Sequence, residues 1–173
     1  MIAYHADRSK QLSPGDVISL TPRPDLDLLS LYPAGLSWHG IRYMSEVQGI
    51  SFQEMTNWNT ELLFELFRRA HFPNLPSRYQ SFFVCQNKDE LEKWNFDGNV
   101  VVVQFENAHV FQADASLLRG SVGRYEDGSF LYDQTSLSEK AFAYWSGSFS
   151  ENPLPEMLVV PSPSFPIQVV QIL

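Results

Sequence analysis

At 173 residues, with 44% hydrophobic and 18% charged side chains, the chain is long enough for one domain with a real core and too apolar for disorder. Its formal charge is −8, with 7 basic and 8 acidic residues over 1–80 but 5 and 12 over 81–173, and this opposes non-specific nucleic-acid binding, which depends on neutralising phosphates. Cys85 stands alone, excluding an intramolecular disulfide and a cysteine zinc cage, and no apolar run nears the roughly 20 residues of a membrane span. The opening Met1-Ile2-Ala3-Tyr4-His5 lacks the pattern of a secretory signal, so a cytoplasmic location without membrane contact is expected.

In chain order, Ile2–Ala6 reads as a short strand and Asp16–Thr21 as another, entered through the turn Ser13-Pro14-Gly15. Pro22–Gly40 reads as an irregular loop, with a helical turn expected over Asp25–Leu31. A helix is expected from Thr56 or Asn57 to about Ala70. Trp58, Leu62, Phe64 or Glu65, and then Leu66 and Arg69 follow its period, with Leu63 and Phe67 as a second i,i+4 pair. Pro73 and Pro76 end that helix and lead into a strand over Tyr79–Cys85. Asn87 caps a short helix over Lys88–Trp94, Asp97-Gly98 turns the chain, and Val100–Phe105 is a buried strand followed by one over Ala108–Gln112. Ser136 to Glu139 has the form of a capping box before a helix ending near Trp145, with Gly147 as its stop. Strands over Glu156–Val160 and Pro166–Ile172 close the chain. The order predicts one α+β domain over 1–173.

Several chemistries lack their motifs. Gly120-Ser121-Val122-Gly123-Arg124 misses the Lys-Ser/Thr of a phosphate loop, and no G-x-G-x-x-G follows the first strand. His5, His39, His71 and His109 are too far apart to give paired ligands on one helix face, so no metal is expected. No G-x-S-x-G elbow is present.

Three segments remain. Tyr4-His5 with Arg8-Ser9 lies on the first strand, and Arg78-Tyr79-Gln80-Ser81-Phe82-Phe83 follows the long helix. Glu156-Met157-Leu158-Val159-Val160-Pro161, then Phe165-Pro166-Ile167, closes the chain. In this order they resemble the three signature strands of the ADP-ribosyltransferase superfamily, in its His-Tyr-Glu form and its small bacterial branches, over nearly the whole chain. The resemblance implies two packed antiparallel or mixed β-sheets with flanking helices. It also implies NAD as a substrate, Glu156 as the catalytic carboxylate, and His5, Arg8, Arg78, Tyr79, Ser81, Phe82 and Trp94 as NAD-binding residues. Whether Tyr79 or Trp94 on the following helix stacks on nicotinamide stays open.

Elementary chemistry suits these residue types. Cleaving the bond between nicotinamide and ribose builds positive charge on the sugar, and one fixed carboxylate stabilises that state. Nicotinamide is cationic before it leaves and neutral afterwards, so no general acid is required. Aromatic faces hold the charged ring, and Arg8 and Arg78 are expected on the pyrophosphate. Arginine-modifying members carry a second Glu where this chain has Leu154, so an RNA or DNA base is favoured over a protein side chain as acceptor. Members of this size are often toxins or phage-defence effectors, which implies an antitoxin partner. The alternatives are an inactive module that binds a nucleotide or a protein, and a NAD glycohydrolase. The loops Pro22–Gly40 and Gly120–Gly128 are the expected acceptor contacts.

Overall fold

The strand that organises the molecule is one of its least polar. Pro155–Val160 is buried along most of its length because it lies between two other strands and has core on both faces, so its apolar residues run without alternation. In the computed structural model, which describes residues 1–22, 31–44 and 51–173, the chain runs β1 (Ile2–Asp7), β2 (Val17–Ile18), α1 (Trp38–Met44) and α2 (Phe52–His71). A 3-10 turn (Arg78–Gln80), β3 (Phe82–Val84), α3 (Lys88–Glu92), β4 (Asn99–Gln104) and β5 (His109–Asp114) follow. The chain ends with a 3-10 turn (Ala115–Leu118), β6 (Val122–Arg124), β7 (Phe130–Tyr132), α4 (Gln134–Trp145), β8 (Pro155–Val160) and β9 (Ile167–Ile172). This is an α+β domain whose strand pairings are antiparallel among the described residues.

The sheets have the orders β1-β4-β9-β2 and β3-β8-β5, with β6-β7 as a separate hairpin. Tyr4 and Cys85 exchange both backbone hydrogen bonds (2.9 and 2.7 Å) and join the two larger sheets into one array, β5-β8-β3-β1-β4-β9-β2. That junction is a single bridge. One residue further along, the ring of His5 rather than the backbone of β1 meets the Phe83 carbonyl, at 2.8 Å, and the two strands fork apart.

Each face of β8 serves a different core. Met157 and Val159 pack with Ala3, Val101, Val103, Ile167 and Val169 between the two larger sheets. Leu158 faces the other way, onto Phe64 of α2 and Leu137, Ala141, Tyr144 and Trp145 of α4. The Trp145 indole N–H donates to the Phe64 carbonyl at 2.7 Å and ties the two helices together. No helix among the described residues is long and apolar enough to cross a membrane.

Several elements differ from expectation for local reasons. The long helix starts at Phe52 because Ser51 and Glu54 form a full capping box upstream of Thr56. Its Leu62 and Leu66 are exposed, while Thr56, Thr60, Glu61, Phe64, Glu65 and Arg68 are buried. Asp133, a stronger acceptor than Ser136, caps α4 through the Ser136 N–H (2.9 Å), so that helix also begins earlier. The strand expected over Asp16–Thr21 is only Val17–Ile18, with Thr21 in a bridge to Leu36. The strand expected from Tyr79 begins at Phe82, because the Ser77 side chain accepts from the Tyr79 N–H (3.1 Å) and winds Arg78–Gln80 into a turn. Part of the loop expected over Gly120–Gly128 forms β6. The helical turn expected over Asp25–Leu31 falls mostly on 23–30, outside the described residues.

Candidate functional site

The winding at Arg78–Gln80 carries the Arg78 side chain into the interior. Its Nε and Nη2 donate to the two oxygens of Glu61 on α2 at 2.8 and 2.9 Å. Its Nη1 donates to Glu156 Oε1 and to the Tyr144 hydroxyl, both at 2.5 Å. Tyr144 in turn donates to the same Glu156 Oε1 at 2.7 Å. The guanidinium lies over the rings of Phe83 (4.6 Å) and Tyr144 (5.4 Å), which limits its access to water. His39 of α1 completes the cluster, with its buried Nε2 3.4 Å from Glu61 Oε1 and without a hydrogen bond among the described residues. Gly40 lets α1 approach this closely, since a Cβ there would lie 2.0 Å from the Tyr79 carbonyl oxygen.

The electrostatics follow from burial. Desolvation works against the charge of Glu61, but Arg78 and then His39 outweigh it and hold that carboxyl far below the usual range. Burial opposes the charge of Arg78 as well, and the carboxylates of Glu156 and Glu61 raise its pKa above the ordinary value. Burial lifts the Tyr144 phenol, with Arg78 pulling against it, so its hydroxyl keeps the proton it donates. One guanidinium therefore faces two carboxylates, and the cluster suits additional positive charge nearby.

Glu156 is only 5% exposed, yet it lines a cleft of about 110 Å³ with Cys85, Gln86, Glu90, Gln112 and Phe149 among others. Both of its hydrogen bonds end on Oε1, and Oε2 carries none among the described residues. Gln86 and Glu90 also line a wider groove of about 510 Å³, shared with Ile2, Tyr4, Lys88 and Lys93. Trp94 donates its indole N–H to the Pro155 carbonyl (3.2 Å), next to Glu156, and Cys85 Sγ donates to the same oxygen at 3.2 Å. Burial pushes the Cys85 thiol up to about 12, so it stays protonated.

The expected site residues divide into groups. Glu156 and Arg78 are in direct contact, and Trp94 is adjacent. Arg78 is not free for a pyrophosphate, because each of its guanidinium nitrogens is bound within the cluster. The rings of His5 and Phe82 meet at a tilt (centroids 4.2 Å apart) on the side of β3 and β8 that faces the sheet core, opposite the side of Glu156. Burial lowers the His5 pKa, and its Nδ1 must donate to the Phe83 carbonyl, which leaves Nε2 as an acceptor. Tyr79 packs on Tyr32 and Leu36, and Ser81 donates to the Ser77 carbonyl at 2.7 Å. Arg8 is exposed just past β1. Arg68 and Arg69 pair with Glu65. Among the described residues no group of His, Cys, Asp or Glu is arranged to hold a metal.

Sequence reasoning missed Glu61, Tyr144 and His39. Glu61 shares a buried stripe with Glu65 and Arg68, visible as i,i+4 and i,i+7 spacing but hidden by its polarity. Tyr144 follows Leu137 and Ala141 at core spacing.

The sequence model of the family described as "Protein of unknown function (DUF2441)" matches residues 3–173. The chain belongs to this family. No curated protein matches it. The match takes in β1, the Arg78 turn, β3, α4 and β8, so the whole cluster lies within the part that defines the family.

Proposed function

We propose that the protein is an NAD-dependent ADP-ribosyltransferase of the type its three segments resemble, acting on a macromolecular acceptor, with an RNA or DNA base preferred. The observation that carries this reading is the adjacency of β1, β3 and β8, which brings the three segments, remote in sequence, side by side. Glu156 stands at the start of β8 and lines the cleft, held by Oε1 with no hydrogen bond to Oε2 among the described residues.

In the reaction, the bond between C1′ of the ribose and the nicotinamide nitrogen breaks, and its electron pair leaves with neutral nicotinamide. The Glu156 carboxylate stabilises the positive charge that develops on the sugar. The acceptor nucleophile then bonds to C1′ and loses its proton to solvent. With Arg78 engaged by Glu61 and Glu156, the cations that line the adjoining groove are Lys88 and Lys93, and these take the pyrophosphate. Trp94, bonded to the Pro155 carbonyl, is an aromatic next to Glu156. A role as a toxin or phage-defence effector with an antitoxin partner belongs to the same proposal.

Incubation with NAD labelled in the adenylate moiety tests it. Label should pass to RNA, DNA or protein, and expression should arrest growth of a bacterial host. Label appearing solely in free ADP-ribose would replace transfer by hydrolysis. A second reading has its own support: His5 and Glu156 lie on opposite faces of the β3-β8 pair, as expected of a module that binds a nucleotide without turning it over. NAD binding by calorimetry without nicotinamide release would favour that module.

A further inference from the structure

We infer that Tyr144 is a positioning residue that, with Arg78, clamps the Glu156 carboxylate by one oxygen so that the other is presented to substrate. The inference rests on the transferase reading and extends it to a residue outside the three segments that carry the resemblance. Tyr144 is fully buried on α4, where a phenylalanine would pack as well, so its hydroxyl needs a polar partner. The partners it has are Arg78 Nη1, from which it accepts, and Glu156 Oε1, to which it donates. A carboxylate held only by Arg78 could pivot about that contact. Two donors converging on the same oxygen from different elements, the 3-10 turn and α4, fix the carboxylate plane. Glu61 completes the arrangement by gripping the opposite edge of the guanidinium at two points, which prevents Arg78 from turning away. The clamp thus links α2, the 3-10 turn, α4 and β8, and Oε2 of Glu156, which carries no hydrogen bond among the described residues, belongs to a residue that lines the cleft.

Tyr144→Phe removes one oxygen and keeps the ring contacts with Phe64 and Trp145, so the variant should fold. In nicotinamide-release kinetics it should lower kcat about 10- to 100-fold with KM for NAD unchanged, the effect of a misplaced catalytic group rather than a lost binding contact. An unchanged kcat, or a KM that rises in step with the fall in kcat, overturns the inference while leaving the transferase reading in place. Release absent from the wild-type chain overturns both. Proton NMR gives a readout independent of turnover. A slowly exchanging phenolic proton should be present in the wild type, absent from Tyr144→Phe and shifted in Glu156→Gln. The same spectrum in all three proteins overturns the clamp.

Discussion

Two carboxylates one turn apart on α2, Glu61 and Glu65, are both buried and both paired with arginine, yet they belong to clusters of different kinds. Glu65 accepts from Arg68 Nε and Nη2 (3.0 and 2.8 Å), Arg69 Nε (2.9 Å), Ser77 Oγ (2.9 Å) and the Tyr32 hydroxyl (3.1 Å), so both of its oxygens are occupied. Arg68 also donates to the carbonyls of Pro73 and Leu75, which pins the connection that leads to Arg78. The Glu61 cluster ends instead on Glu156, a residue that lines a cleft and whose second oxygen has no hydrogen bond among the described residues. A saturated buried carboxylate is a scaffold device. A buried carboxylate with one oxygen left over, beside a polar groove, is where chemistry is expected.

The largest expected effect falls on the scaffold. Glu65→Ala leaves two arginines, a serine and a tyrosine without their shared acceptor and should cost about 3–5 kcal/mol of stability by urea denaturation. A loss under about 1 kcal/mol would erase the distinction between the clusters.

The acid limb of the stability profile sharpens it further. Burial pushes the Glu65 pKa up, but Arg68, Arg69 and Ser77 bring it below its ordinary 4.5. The folded-state pKa is therefore lower than the unfolded one. The stability this group contributes is complete above that ordinary value and is lost as the pH falls toward the depressed one. Glu65→Gln should make the acid limb shallower, and identical limbs in variant and wild type would count against the pairing.

Smaller effects should follow elsewhere. Glu156→Gln keeps an acceptor for Arg78, and Glu61 retains its two-point grip, so the loss should be about 1 kcal/mol in the same denaturation series. A loss as large as that of Glu65→Ala would recast Glu156 as scaffold. Tyr32→Phe removes one of five donors from Glu65 and should cost roughly 0.5–1 kcal/mol, read as a small shift in midpoint.

What the sequence disclosed tracks the physics of each element. Val100–Val103 and Met157–Val160 declared themselves as strands because both faces are buried, and Trp145 with Gly147 marked the end of α4. The long helix was plain, but its apolar period picked out Leu62 and Leu66, which are exposed, because the buried stripe contains Thr56, Thr60, Glu61 and Glu65. Those polar residues lie inside only because arginines from elsewhere meet them, a relation that periodicity does not encode. Glu156 was legible from its place at the head of an apolar strand. Its partners were not: Arg78 reaches it through a 3-10 turn set by the Ser77 cap, and Tyr144 reaches it across the packing of α4 on β8. The three segments lie on neighbouring strands, but their side chains divide between two faces of the array, a division that strand order alone does not encode.

The most direct measurement is nicotinamide release from NAD by the wild-type chain and Glu156→Gln, with and without RNA, at a temperature where both are fully folded. Release by the wild type, faster with RNA and at least about 100-fold slower in the variant, is the result the account predicts. Equal release by both proteins, or none from the wild type, would contradict it.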